Sequence, residues 1–307
     1  VIDAGAALQD YAALVTARSD RLCLVVLAGY VLGGFLIGEP VRRVQGFLYG
    51  WVEKIGKRLD RSHRSIATRV YRGIIALSVL LMVSILAAAA LMHTQWPAQL
   101  LVVLLAVLWF GAAFSLPPLV SLWQRARQGT LGVVDGTTVY NDTHGLIRYR
   151  LERQMDALAS QVVGVCFWFL LAGILGALLY ITTTSAAHAY RHSVFGWAAR
   201  ALHRVLDAVP RVLTRLMMVV AACFVTGCHP LHALIARDWR SAVARLYGVA
   251  LGGTTPQGER PWVGDGSARL HATHLRQLLT LQLAMLVLLG LILQSHNVIN
   301  LLNNIDI

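Results

Sequence analysis

Five stretches of this chain, at residues 22–38, 73–92, 97–120, 162–184 and 277–294, contain no Lys, Arg, Asp or Glu. Nothing else in the sequence limits the fold so strongly. An α-helix rising about 1.5 Å per residue needs about 20 apolar residues, with a lower limit near 17, to cross about 30 Å of hydrocarbon. All five meet that limit. A chain with 57% hydrophobic and only 14% charged residues is a membrane protein by composition as well. The fold class expected is an all-α integral membrane protein, a polytopic bundle of about six transmembrane helices with amphipathic cytoplasmic helices, forming one membrane domain over 1–307.

The sixth span is expected at 212–228, where Arg215 interrupts the apolar run near its start. An arginine at a helix centre costs about 2.5 to 3.5 kcal/mol, and less if it snorkels to the interface. The distribution of charge argues for this span. With six spans, the segments 39–72, 121–161 and 231–276 share one side and carry 20 Lys and Arg, against six on the other. Without it the split is 14 to 13. Cytoplasmic loops carry the excess of Lys and Arg, so the basic side is read as cytoplasmic, both termini as external, and the protein as multi-pass in a bacterial inner membrane. No cleavable signal peptide is read at its start.

After the first span, Val41, Val44, Leu48, Trp51, Ile55 and Leu59 recur three or four apart, with Arg42, Arg43, Lys54, Lys57 and Arg58 among them. This spacing predicts a basic amphipathic helix over 41–59, lying on an anionic leaflet where each cation contributes about 1 kcal/mol. Residues 132–145 and 254–266, rich in Gly, Asp, Asn and Pro, read as turn-forming loops.

Chemistry-bearing motifs are sparse. The net charge of +12 comes without any nucleic-acid recognition motif, so no nucleic-acid partner is expected. His188 with His192, His229 with His232 beside Cys228, and His271 with His274 have spacings compatible with zinc, but none brings a third and fourth ligand, and no metal site is assigned. There is no phosphate-binding loop, nucleophile elbow or H-E-x-x-H helix. The four cysteines, in or beside apolar stretches, read as reduced thiols. Glu152 and Asp156 stand four apart beside Arg148, Arg150 and Arg153. They would either share a divalent ion or be neutralised by those arginines, Arg148 pairing with Glu152 one turn away. A transporter is disfavoured, because the spans hold almost no ionisable residues and show no paired broken helices.

The stretch 142–168, DTHGLIRYRLERQMDALASQVVGVCFW, resembles the signature region of the CobD/CbiB membrane proteins of cobalamin biosynthesis, with Asp142, Arg148, Glu152, Phe167 and Trp168 in register. Gly38-Glu39-Pro40 is similar to the family's G-D-P, and FGWAARALHRVLDAVPRVLTRL at 195–216 to its F-G-x-x-A-A-R-L-D-D-x-x-N-x-x-P-A-R-L-T. The chain departs from that pattern where the family carries acids and amides. Asp156-Ala157 replaces E-N, Ser160-Gln161 replaces D-G, and His203-Arg204 stands at the paired D-D.

The resemblance implies an ATP-dependent amide-forming synthase that joins an aminopropanol unit to a corrinoid carboxylate with magnesium. The missing acids imply instead a catalytically degenerate member, and VLDAVPRVLTRL at 205–216 is similar to the AmpE branch. The expectation is therefore a signalling, regulatory or accessory complex-subunit role with no catalytic residues and no cofactor. Its partners would be the lipid bilayer, other membrane-protein subunits or an anionic small molecule. Asp142, Arg148, Glu152 and Asp156 are the candidate ligand-binding residues.

Overall fold

The computed structural model describes residues 25–29, 50–61, 64–93, 103, 105–107, 109–110, 143–255 and 258–303. Asp142 and most of the segments expected to be spans at 22–38 and 97–120 lie outside these residues, as does the first half of the amphipathic segment 41–59. The chain divides into two compact units, one comprising residues 1–112, 160–210 and 293–307, the other 113–159 and 211–292.

In the first unit, residues 50–59 form helix α1, as the amphipathic spacing predicts, and Ile66–His93 forms the long apolar helix α2. The elbow between them is fixed by chemistry. The Arg69 guanidinium donates from Nε to Asp60 Oδ1 at 2.6 Å and from a terminal nitrogen to Oδ2 at 3.0 Å, and the Ser65 hydroxyl accepts from the Thr68 amide at 3.4 Å. Val52, Ala76, Leu77 and Leu80 then close on Ala186, Ala187, Tyr190 and Phe195 in one apolar cluster. Two glycines permit that approach. A Cβ on Gly73 would lie 1.9 Å from the Phe195 carbonyl oxygen, and one on Gly56 would lie 2.1 Å from the Tyr190 ring.

Helix α3 covers Thr143–Ala157, a π-helical turn follows at Leu158–Val163, and α4 covers Gly164–Ala189. The run 162–184 is not the single straight span that its composition suggests. Gly173 has φ 64° and ψ −150°, a conformation open to glycine and closed to L side chains. Across it the chain doubles back: a Cβ on Gly176 would lie 2.4 Å from the Trp168 carbonyl oxygen, and one on Gly164 would lie 2.3 Å from the Tyr180 hydroxyl. In a straight helix residues 164 and 180 would be about 24 Å apart. Folded at Gly173, each apolar leg reaches only about half the hydrocarbon thickness. The break is buried, the condition under which irregular backbone is tolerated at membrane depth.

Helix α5, Trp197–Ala222, is amphipathic. Val205, Val209, Val212, Leu216 and Val220 form an exposed apolar stripe, while Asp207, Thr214 and Met218 are buried on the other side. In the second unit the short helices α6, Pro230–Ile235, and α7, Trp239–Leu246, lead into an antiparallel hairpin of β1, Leu251–Thr255, and β2, Gly258–Val263. That hairpin corrects the all-α expectation locally, in a stretch read as turn. Gly252 and Gly253, at φ 148° and 88°, bulge the first strand around Trp262. The final helix, α8, Ala272–Asn303, buries Leu275, Leu278, Leu281, Met285 and Leu289 at helical spacing.

Among the described residues three helical stretches are long and apolar enough to cross a membrane: Ile66–Leu91, Ile147–Ala189 and Thr273–Ser295. The second contains the reversal at Gly173. The protein is thus a largely helical membrane protein, while a count of six spans is not confirmed. The segment 212–228 is not one of the three, because α5 ends at Ala222 in turns. The Arg215 guanidinium is held within the protein. It donates to the carbonyls of Ala233 (3.0 and 2.6 Å), Leu234 and Ala236, the unpaired acceptors at the end of α6.

Candidate functional site

Helix α3 carries three of the four expected site residues, and its surroundings come from the later part of the same unit. Glu152, only 5% exposed, accepts hydrogen bonds from Arg240 Nε and, at 2.8 Å, from a terminal nitrogen of Arg260. Arg240 stands at the start of α7 and also donates to the Pro261 carbonyl at 3.3 Å, and Arg260 lies on β2. One buried carboxylate therefore holds a helix and a hairpin through two guanidinium groups. Asp156, one turn further along α3, lies in the field of Arg211, of the like-charged Glu152 and of Arg260, and accepts a hydrogen bond from the Trp239 side chain.

The expected i, i+4 pairing of Glu152 with Arg148 is replaced by these long-range pairs. Arg148 instead donates to the Ala268 carbonyl and lies 5.0 Å from the Trp262 ring centroid, a cation–π contact. At the start of α3, His144 Nδ1 meets the Leu270 carbonyl at 2.6 Å. Arg148, Glu152 and Asp156 are thus brought into one cluster with Arg240, Arg260, Trp239 and Trp262. Sequence reading missed those four partners, which lie more than 80 positions away, and no local spacing announces them.

A shared divalent ion would need Asp135 and Asp142 to join the pair, and both lie outside the described residues. Two carboxylates beside several guanidinium groups form a neutralised, hydrogen-bonded knot rather than a set of oxygens converging on a cation. Among the described residues there is no group of three or more His, Cys, Asp or Glu arranged to hold a metal. His229 and His232 stack with centroids 5.5 Å apart, and burial pushes the neighbouring Cys228 thiol up to about 11, so it is a thiol and not a thiolate at neutral pH. His271 and His274 lie 6.4 Å apart, and the His271 amide donates to His274 Nδ1 at 3.1 Å.

A second polar cluster, in the first unit, was also missed. Asp207, 2% exposed on α5, accepts from the Tyr180 hydroxyl at 2.7 Å and lies 3.6 Å from His203 Nε2, whose other ring nitrogen is 3.4 Å from the Thr184 hydroxyl. His203 occupies a position of the paired acids in the family pattern. The signal that could have found Asp207 is a lone acid within the apolar run around VLDAVP.

The fold and these clusters define a helical membrane protein whose described polar clusters lie on the helix before the Gly173 hairpin with the loops after α5, and between α4 and α5. The CobD/CbiB protein family matches residues 22–282, and the chain belongs to that family. It is 29% identical over 279 residues to the cobalamin biosynthesis protein CobD of Stutzerimonas stutzeri, covering 82% of this chain and 91% of that protein. It is 30% identical over 164 residues to the protein of the same name from Chromobacterium violaceum, covering 48% and 53%. No solved structure matches the chain.

Proposed function

We propose that this chain is a CobD/CbiB family member that has lost amide-forming chemistry and serves the inner membrane as a regulatory or accessory subunit. The observation that carries this reading is the state of Glu152. Arg240 and Arg260 both donate to its Oε1, which ties that oxygen to the fold and away from a magnesium ion, and Ala157, Ser160 and Gln161 supply no replacement carboxylates. His203 supports the same reading, since an imidazole beside Asp207 stands where an acid would be needed. Arg148 is committed to Ala268 and Trp262, so its role in this reading is to position the β-hairpin.

A second reading, a working synthase that joins aminopropanol to a corrinoid, is favoured by the alignment over 91% of the Stutzerimonas relative. Complementation separates the two. Expressed in a strain deleted for its corrinoid amide synthase, the chain is expected to restore no cobinamide formation, although it reaches the membrane at normal level. Rescue that disappears in Glu152→Gln would overturn the proposal and establish the synthase.

A further inference from the structure

The elbow between α1 and α2 shapes a groove of about 610 Å³ that the proposed function does not use. One wall is the face of α1 carrying Trp51, Ile55 and Leu59, four residues apart. The other is the face of α2 carrying Ile75, Val79 and Val83. Trp51, Ile75, Val79 and Val83 are each between 46% and 57% exposed, so the groove is open and apolar along its length.

Arg58, Arg61 and Arg72 also line this groove, and all three lie at its elbow end. The nearby acids are already committed. Asp60 is held by both nitrogens of the Arg69 fork, and Glu53 pairs with Lys57 at 2.7 Å. Among the described residues no acid forms an ion pair with Arg58, Arg61 or Arg72. From Arg72 to Val83 the helix rises about 16 Å, close to half of the roughly 30 Å hydrocarbon core. The groove is thus cationic at its elbow end and apolar over a length equal to about one leaflet.

We propose that this groove binds one anionic phospholipid, its phosphate on Arg58, Arg61 and Arg72 and an acyl chain along Ile75, Val79 and Val83. Charge complementarity selects the headgroup, because guanidinium forks match phosphate oxygens and, among the described residues, no carboxylate pairs with these three arginines. The one-leaflet length selects a lipid over a peptide or a second copy of the chain, either of which would have to bring its own acids to three arginines. This differs from general attraction of a basic helix to a charged surface, because it predicts one retained molecule and a dependence on groove shape.

The test is native mass spectrometry of the detergent-purified full-length protein with phosphatidylglycerol or phosphatidylcholine added at equal concentration. One phosphatidylglycerol is expected to stay bound where phosphatidylcholine does not. Arg58→Ala with Arg61→Ala should weaken retention about tenfold or more. Lys54→Ala with Arg64→Ala, which removes the same charge outside the groove, should leave retention unchanged. Val79→Trp should expel the lipid by filling the groove with no change of charge. Equal retention of both lipids, equal loss in the two double variants, insensitivity to Val79→Trp, or a second copy of the chain in place of lipid would each overturn the proposal.

Discussion

Asp238 shows how much a single exposed side chain can do outside the membrane. It precedes α7 with extended backbone, and its Oδ2 accepts from the Ser241 amide at 3.4 Å, an N-cap that starts the helix carrying Arg240. Hydrogen bonding to Ser241 holds the Asp238 carboxyl below its ordinary value. A depressed folded-state pKa gives stability that is present above the unfolded value of about 3.9 and is lost as pH falls through the folded one. Asp238→Ala is therefore expected to cost about 0.5 to 2 kcal/mol at pH 7. That gap from wild type should narrow below pH 4, as read by thermal unfolding in detergent; a gap independent of pH would assign the effect to helix propensity alone. The same contrast of local and remote partners explains what was legible in the sequence at this scale. Glu152 and Asp156 were identifiable as a pair on one helix face. Arg240 and Arg260 were not, because tertiary ion pairs leave no periodic trace. Arg215 was visible as an anomaly in an apolar run but was misread, since capping a six-residue helix is a three-dimensional role.

At the scale of elements, α1, α2 and α8 follow from periodicity and apolar length, which are local properties of the chain. Helix α4 does not, because a window of hydropathy registers that 162–184 is apolar and cannot register that Gly173 reverses it. The reversal depends on small residues meeting across the two legs: Gly164 below Tyr180, and Gly176 against the Trp168 carbonyl. Ala at position 173 would have to adopt φ 64° and ψ −150°, so Gly173→Ala is expected to cost roughly 1 to 3 kcal/mol. It should also disturb the Tyr180–Asp207 hydrogen bond that closes the hairpin on α5. Thermal melting in detergent, with Gly290→Ala as a control at an open helical position, measures this directly. If Gly173→Ala melted with wild type, the run would be a continuous helix in the membrane.

For the whole molecule, counting crossings rather than helices changes the balance of charge. If 162–184 enters and leaves by the same face and α5 lies along the interface, the apolar runs left to cross, by sequence alone, are 22–38, 73–92, 97–120 and 277–294. Residues 39–72 and 121–276 then share one side with 25 of the 27 Lys and Arg, leaving Arg18 and Arg21 opposite. Six spans leave a split of 20 to six. The rule that cytoplasmic segments gather Lys and Arg weighs short loops and the flanks of spans, so the long segment 121–276 counts mainly through its ends and four crossings are as compatible with the rule as six. The exposed apolar stripe of α5 fits a helix lying in the interface better than one crossing it. Within the second unit, the pairs from Glu152 to Arg240 and Arg260 already hold α3 and the loops after α5 on one side. The two topologies differ at 185–211, which six spans place outside and four crossings place inside. In a chain with its native cysteines replaced, His192→Cys, Arg64→Cys and Asp265→Cys are each expected to resist a membrane-impermeant maleimide in intact cells and to react once the membrane is opened. Labelling of His192→Cys alone in intact cells would restore the six-span arrangement. Labelling of Arg64→Cys and Asp265→Cys from opposite faces would defeat both topologies, because each keeps those two segments together.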